Sequence, residues 1–417
     1  MQIPLHPPIR KYLFLTVCGL AASLYFASAA VDCVAFYFAE RSDLISLQRA
    51  ARLEPGSAEN QFRLGRYYFL VQHTPDAALD ALKLATSLNP HKARYWLDLA
   101  SAYQASGNQE AQTAALEHAI EVDPRTPAVA WDAGNLYLIQ GETDKALQQF
   151  RVVLQNDPTM AAAALPMCWR ASPSADTFLN GFLPPDPEVY FAFLDFLMAR
   201  KETSAAEKVW NQLAQLQQPL RKQKVFDFVR FLLSQQEVEP ASAVWRQSGS
   251  LGGLQAYQPS VDNLIVNGNF ERDVLNGGFD WQYSKLKDVS LALDPVQTHS
   301  AHRSLLIDFD ARSLNDAGIR QLIPVRPGTS YDFSGYFKTE NLEGSGGPRF
   351  ALMDVYANAL LYASDELTKS DSWKQVEGTF TTGPSTKLLV LLVQRIPAGN
   401  AIKGKLWIAD LRLSPKH

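Results

Sequence analysis

Residues 93–124 read ARYWLDLASAYQASGNQEAQTAALEHAIEVDP. Apolar residues recur at helical spacing in two groups, which are Trp96, Leu99 and Tyr103 in the first and Leu116 and Ala119 in the second. The small Ala100 lies where two paired helices would approach closely. Pro124 ends the second helix because proline lacks a backbone donor and clashes with the preceding turn. The stretch therefore predicts a helix–turn–helix unit.

The same phrase recurs along the chain. Prolines at Pro55, Pro90, Pro124 and Pro158 are separated by 35, 34 and 34 residues, and each closes an apolar helical pattern. A fixed period of this length is typical of a solenoid, in which each unit buries its apolar face only against its neighbours.

Several positions of these units resemble the tetratricopeptide repeat. The matching residues are Leu64, Gly65, Tyr68, Ala78, Leu82 and Ala85 before Pro90, and Gly134, Tyr137, Ala146 and Phe150 before Pro158. The resemblance implies paired helices whose groove binds a protein partner. We predict an all-α domain over 32–247, completed by divergent helix pairs after an extended break at 171–187, where prolines and a glycine accumulate.

The N-terminal segment predicts a membrane anchor. Residues 12–31 carry no charge, which is enough to span a bilayer as a helix, and Arg10 and Lys11 precede them. The positive charges place 1–11 in the cytoplasm and the rest beyond it. We expect a single-pass inner-membrane protein with periplasmic domains, although Ala27-Ser28-Ala29 also resembles the cleavage site of a signal peptide.

The bulk composition excludes some classes. The chain has 417 residues, a formal net charge of -4 and 20% charged residues, so it is not basic enough for nucleic acid and not polar enough for wholesale disorder. Its length predicts more than one domain.

The hydrophobic period changes in the last third. Residues 248–260 are predicted as a linker, and from 261 to 417 the period falls from 3.6 to 2. About nine short strands separated by polar or glycine-containing turns indicate a sandwich; they are expected at 264–266, 289–293, 304–309, 319–325, 330–339, 349–356, 373–381, 388–395 and 405–413.

Short phrases in this region resemble the jelly-roll carbohydrate-binding modules found beside glycoside hydrolases. They are Asn267-Gly268-Asn269-Phe270-Glu271, His299 to Leu305, Val325 to Tyr331, Trp373 to Phe380 and Ile408-Ala409-Asp410. The resemblance implies an all-β jelly-roll fold and a structural calcium ion held by Glu271 and Asp410. Ala409 departs from the family's adjacent pair of acids, and the alternative is that both carboxylates are merely solvated.

A glycan site needs aromatic faces and planar polar side chains. Alternation along residues 331–338 places Tyr336 on the face opposite Tyr331, Phe333 and Phe337. The candidate ligand-binding residues are Tyr336, Asp354, Tyr356 and Gln394 on strands, with Trp281 and Tyr283 from the loop after the first strand.

Motifs for catalysis are missing from the sequence: it contains no Gly-x-Ser-x-Gly elbow, phosphate loop, dinucleotide fingerprint or His-Glu-x-x-His. We therefore expect a non-catalytic envelope scaffold, whose repeats bind a protein and whose sandwich binds a glycan or a protein. The alternatives are an accessory factor of exopolysaccharide assembly or export and, less favoured, a glycan-acting enzyme.

Overall fold

The computed structural model describes residues 8–300 and 302–416, and the predicted cytoplasmic segment 1–11 falls mostly outside them. In the described chain, helices fill the N-terminal part and two antiparallel sheets the C-terminal part. The helices are α1 (Pro8–Ala39), α2 (Leu44–Leu53), α3 (Ala58–Leu70), α4 (Pro75–Leu88), α5 (Ala93–Ala105), α6 (Gln109–Val122), α7 (Pro127–Gln140), α8 (Thr143–Asn156), α9 (Ala161–Ala171), α10 (Ala175–Thr177), α11 (Pro187–Ala199), α12 (Thr203–Gln215), α13 (Lys222–Ser234) and α14 (Val238–Leu251).

The predicted repeats form the helix pairs α3–α4, α5–α6 and α7–α8. Their small residues lie where expected: a Cβ added to Gly65 would lie 2.7 Å from Cγ of Leu82, and one added to Gly134 would lie 3.0 Å from Cε2 of Phe150. Close approach of the paired helices therefore favours a small residue at both positions, as Ala100 does in the middle repeat.

The N-terminal apolar helix is longer than the predicted span of 12–31. Within α1, the stretch Lys11–Ala39 is long and apolar enough to cross a membrane, a test that signal sequences also pass. Its last turns bury Ala35 and Ala39, and α2 packs against α1.

The predicted break at 171–187 is only partly extended. Residues Ala175–Thr177 form a helical turn that Ser174 caps. The following turn, Phe178–Phe182, buries both phenylalanines, but its backbone is non-helical at Asn180 and Gly181. The helix is therefore interrupted at Gly181, within the predicted break.

The chain divides into two compact units, the first ending at Val189 and the second beginning at Tyr190. The second unit contains most of α11, the helices α12 to α14 and both sheets. The linker predicted at 248–260 begins inside α14, where the fully buried Ser248 donates a hydrogen bond to the carbonyl of Val244. The prediction of a linker was therefore wrong for its first residues.

The C-terminal sandwich has ten strands in the described residues. They are β1 (Gln282–Tyr283), β2 (Val289–Asp294), β3 (Ser304–Ala311), β4 (Asp316–Pro324), β5 (Ser330–Glu343), β6 (Pro348–Asp354), β7 (Ala359–Ala363), β8 (Lys374–Thr381), β9 (Leu388–Arg395) and β10 (Ile402–Pro415). The first sheet has the order β1-β4-β9-β6-β7 and the second β2-β3-β10-β5-β8. One apolar core lies between them, with Phe270, Phe333 and Leu406 among its buried members.

Eight of the nine predicted strands are present, and the strand predicted at 264–266 is not. Side-chain oxygens replace the backbone acceptors of a neighbouring strand, since Ile265 N donates to Oδ1 of Asn263 and Val266 N donates to Oε1 of Gln321. The segment still joins the last strand, because Leu264 N donates to the carbonyl of Leu413 over 2.8 Å. The short β1 and the edge strand β7 were missed.

Candidate functional site

An aromatic cluster lies on the outer face of the second sheet. Tyr336 points away from the core, as the alternation predicts, and is half-buried on β5 between β10 and β8. The His299 ring stacks on Tyr336 with centroids 3.9 Å apart, and Trp373 lies 5.5 Å from His299. Nε1 of Trp373 donates to the carbonyl of Thr298 over 2.8 Å, which holds the loop before β3 against this face.

Asp410 adds a charge to this cluster. Its Oδ2 lies 2.5 Å from Nδ1 of His299, and both side chains are mostly buried, with 18% and 27% exposed. Asp410 has a φ of 51° and lies where the register of β10 against β5 shifts between Ala409 and Arg412. A bulge in the strand therefore aims this carboxylate at the histidine.

The two predicted calcium ligands line one cavity. Glu271 and Asp410 both border a space of about 400 Å³, which the turn of Asn267 and Asn269 also lines. Beside it, Arg303 donates to the carbonyl of Glu271 and forms an ion pair with Asp273. Oxygen atoms of this kind suit a hard cation, although the carboxylate of Asp410 is already engaged by the histidine.

No cluster of three or more His, Cys, Asp or Glu side chains is placed to hold a metal ion in residues 8–300 and 302–416. A calcium ion at this place would therefore need main-chain or amide oxygens in addition to the two carboxylates. The calcium site stays a prediction.

Trp281 is a residue of the core. Only 1% of it is exposed, its ring lies 5.1 Å from that of Phe270, and its Nε1 donates to the carbonyl of Asn267. It has no free face for a sugar ring, so its assignment as a binding residue was wrong. Trp281 is instead a packing residue, buried against the turn that contains Asn267 and Phe270.

Asp354 and Tyr356 lie together but serve the turn after β6. The Asp354 carboxylate accepts hydrogen bonds from the backbone N–H groups of Tyr356 and Ala357 and from Oγ1 of Thr386. Burial acts to raise the pKa of Asp354, yet these hydrogen bonds outweigh it and lower the pKa below its ordinary value. The Tyr356 hydroxyl donates to the carbonyl of Leu233 over 2.8 Å. Both side chains are therefore already satisfied within the protein.

Gln394 and Tyr283 lie apart from the aromatic cluster. Gln394 is half-buried on β9 in the first sheet, opposite Asp316 and Arg349. Tyr283 is 48% exposed on β1 and borders an apolar cavity of about 280 Å³ that Leu291 also lines. The structure brings neither residue to Tyr336.

Two helices of the second unit contact the sandwich directly. A Cβ on Gly277 would lie 2.4 Å from Cδ2 of Phe226 on α13, and one on Gly278 would lie 2.0 Å from Cζ3 of Trp245 on α14. A small space of about 140 Å³ remains between α13 and β4, lined in part by Arg320. Part of the first sheet is therefore covered by the chain's own helices.

The repeats form a separate candidate site on their first helices. A cavity of about 280 Å³ is lined by residues of three consecutive repeats; they are Arg66, Phe69, Leu70, Leu82, Leu97, Asp98, Ser101, Asp132, Asn135 and Leu136. Most lie on α3, α5 and α7, so the successive repeats present one continuous groove. The sequence predicts the groove, but of these residues only Leu82 was named, as a repeat position; the period of 34 that relates Asp98 to Asp132 and Ser101 to Asn135 could have identified others.

The charges in this groove are incompletely satisfied. Nε of Arg66 lies 3.1 Å from Oδ2 of Asp98, yet neither atom has a hydrogen-bond partner among the described residues. Burial raises the pKa of Asp98, and Arg66 and Arg94 offset only part of that effect. Burial also raises the pKa of Asp132. The partly buried Arg66–Asp98 ion pair therefore lacks well-directed hydrogen bonds, which weakens the compensation for its desolvation.

Two family models match parts of the chain. Residues 262–399 match a carbohydrate-binding domain, and residues 93–126 match a tetratricopeptide repeat. The chain therefore combines repeats of a kind that indicates protein–protein interaction with a domain of a kind that indicates carbohydrate binding, and both kinds are non-catalytic.

Solved structures resemble each part. A CBM4 structure is 14% identical, covers 36% of this chain and 99% of its own and has a TM-score of 0.29. MamA is 28% identical over 28% of this chain and 68% of its own, with a TM-score of 0.26. The Pseudomonas aeruginosa protein pilF is 17% identical over 49% of this chain and 93% of its own, with a TM-score of 0.26. No curated protein matches the sequence.

Proposed function

We propose that this chain is a non-catalytic scaffold anchored in the inner membrane by α1, with its two units on the periplasmic side. The repeat groove binds a protein partner, and the sandwich binds a glycan or a second protein. The observation that carries the proposal is the combination, in one chain, of a tetratricopeptide repeat at 93–126 and a carbohydrate-binding domain at 262–399.

The groove supports a peptide ligand. Its apolar residues can bury side chains, while the Arg66–Asp98 ion pair and Asp132 supply charged groups. The test is crosslinking in whole cells followed by capture of the full chain. Partners should be captured with the wild type and lost with Asp132→Lys, but retained with Asp144→Lys, which places the same charge on an exposed residue of α8. Equal capture by both variants would contradict a role for the groove.

The aromatic cluster supports the glycan half of the proposal. Trp373 and the His299–Tyr336 stack supply ring faces, and Lys338 and Asp410 lie beside them on β5 and β10. Stacking of this kind accommodates pyranose rings. A glycan array probed with the full chain in detergent should give binding that Trp373→Ala removes and that Leu360→Ala, an exposed residue on β7, leaves unchanged. Binding unaffected by Trp373→Ala would move the site elsewhere.

Accessory work in exopolysaccharide assembly or export is the second candidate. The match to a carbohydrate-binding domain favours it, because such a protein would bring polysaccharide and protein partners together. Deletion of the gene should then lower secreted polysaccharide without lowering its cytoplasmic precursors. Unchanged secretion would leave the general scaffold role.

The orientation has its own test. Protease added to intact spheroplasts should digest the part of the chain after α1 and leave a cytoplasmic control protein whole. Protection of both proteins would reverse the orientation. Release of the chain as a soluble protein in the periplasm would replace the anchor by a cleaved signal peptide.

A further inference from the structure

The apolar helix continues into the repeat domain without a break. Helix α1 includes the whole apolar stretch 12–31 and continues to Ala39, and its last turns bury Ala35 and Ala39. A continuous helix cannot bend freely between an anchor and a folded domain. The first repeat therefore has a defined height above the end of the apolar stretch.

Helix α2 turns back along α1. The carboxylate of Glu54, just after α2, lies close enough to that of Asp32 on α1 for the two to interact, and the guanidinium of Arg49 lies 5.5 Å from the centre of the Phe38 ring. Both contacts fit an antiparallel pair. The C-terminal end of α2 thus lies level with Asp32, the first charged residue after the apolar stretch.

This height corresponds to the headgroup layer of a bilayer. Twenty helical residues span the hydrocarbon core of roughly 30 Å, and the polar layer on each side adds roughly 5–8 Å. Because Asp32 directly follows those twenty residues, the end of α2 falls within that polar layer. Aromatic residues favour the same layer, and Phe36 and Tyr37 are 65% and 56% exposed nearby.

The exposed side chains at the end of α2 suit anionic lipid. Arg49, Arg52 and Leu53 are exposed, and no carboxylate pairs with either arginine in the described part of the chain. Three acids nearby are engaged elsewhere: Glu40 pairs with Arg63, Asp43 caps α2, and Glu54 accepts a hydrogen bond from Nδ2 of Asn60 over 2.9 Å. The arginines are thus left for an external anion.

We propose that Arg49, Arg52 and Leu53, the α2 headgroup contact, bind the phosphate groups of anionic phospholipids and hold the first repeat against the membrane. The proposal rests on the proposed membrane anchor. Each basic side chain close to an anionic membrane surface is attracted to it, so two arginines at this height add to the hold of the anchor. The repeat groove is then held in a fixed orientation to the membrane instead of swinging on a tether.

The chain offers a matched control position. Leu53 and Leu88 each lie two residues before a proline of the 34-residue period and are 38% and 39% exposed. The full chain, with Cys18, Cys33 and Cys168 replaced by serine, would carry one cysteine at a time at position 18, 53 or 88. Each variant is labelled with an environment-sensitive fluorophore and placed in nanodiscs of phosphatidylglycerol or phosphatidylcholine.

Spin-labelled lipids then report depth. Acyl-chain labels should quench the fluorophore at position 18, and headgroup labels should quench it at 53 at least threefold more than at 88. Quenching at 18 with none at 53 would overturn the headgroup contact while leaving the anchor intact. No quenching at 18 would contradict the anchor itself.

A comparison of anionic with zwitterionic lipid shows whether the arginines bind phosphate or position 53 is merely close to the membrane. Quenching at 53 should be at least twofold stronger in phosphatidylglycerol than in phosphatidylcholine. That difference should disappear in Arg49→Gln/Arg52→Gln and persist in Arg125→Gln, which changes an exposed arginine after Pro124. Equal quenching in the two lipids would overturn the assignment of the arginines to phosphate.

Discussion

Replacing Gly278 with alanine tests how the sandwich is joined to α14. Gly278 has a φ of +60°, and a Cβ there would lie 2.0 Å from Cζ3 of Trp245. Trp245 cannot retreat, because it is 1% exposed and its Nε1 donates to the carbonyl of Tyr257 over 2.9 Å. The substitution must therefore strain the backbone and force the helix and the loop apart.

The loss of stability is the sum of the backbone strain at Gly278 and the overpacking against Trp245. A left-handed backbone costs a residue with a Cβ about 1 kcal/mol, and overpacking of a filled contact costs about 1–3 kcal/mol. Gly278→Ala should therefore destabilise the contact by about 2–4 kcal/mol. Gly328→Ala is the matched control, since Gly328 has a φ of +59° and no atom within 4 Å of the added Cβ. That control should lose only about 1 kcal/mol.

Hydrogen exchange measured by mass spectrometry on the full chain distinguishes the two variants. A loss of about 2–4 kcal/mol corresponds to exchange roughly 30- to 700-fold faster in peptides from α14. Gly328→Ala should leave α14 unchanged and affect only its own turn. If both variants accelerate exchange in α14 equally, or neither does, the tryptophan contact does not join the helix to the sandwich.

Three further predictions concern single sites. Calcium should raise the unfolding temperature of the chain by an amount that grows with the logarithm of its concentration. Glu271→Gln should abolish this increase, and His299→Ala should enlarge it by freeing Asp410. An unfolding temperature that calcium leaves unchanged in the wild type and in both variants would contradict the calcium site. Gly134→Leu should destabilise α7 and α8 by about 1–3 kcal/mol through overpacking, so unchanged exchange there would contradict the close packing of the pair. Burial raises the pKa of Asp280 from 3.8 to about 7, so its contribution to stability is complete below pH 4 and is lost as the pH rises to about 7, by up to roughly 4 kcal/mol. In urea unfolding between those pH values, Asp280→Asn should lack this loss, and identical pH profiles for the two proteins would contradict it.

The repeats could be predicted because their information is local and periodic. Prolines at a fixed period end the helices, and small residues such as Gly65 and Gly134 occupy the close approaches that the structure contains. The alternation that placed Tyr336 opposite Phe333 and Phe337 is equally local. Patterns of this kind depend only on neighbours in the sequence, so they can be recognised without knowledge of the tertiary structure.

Contacts between distant segments could not be predicted in this way. Trp281 and Tyr283 are two residues apart and chemically similar, but the first is buried against Phe270 and the second is 48% exposed on an edge strand. In the sequence Gly277 and Gly278 are two adjacent glycines with no further pattern, and only the structure places Phe226 and Trp245 against them. No local pattern distinguishes a glycine that permits a turn from one that admits an aromatic ring.

For Asp410, the family motif predicts the position of the residue but not the partner of its carboxylate. The motif correctly brings the two ends of the sandwich together, since Leu411 N donates to the carbonyl of Gly268 and Glu271 shares a cavity with Asp410. Position alone does not settle what a carboxylate binds. A bulge turns Asp410 toward His299, whose ring is held in turn by Tyr336. The same side chain therefore belongs to both the predicted metal site and the aromatic cluster. A cation that draws the Asp410 carboxylate away from His299 would loosen the stack that a glycan would use.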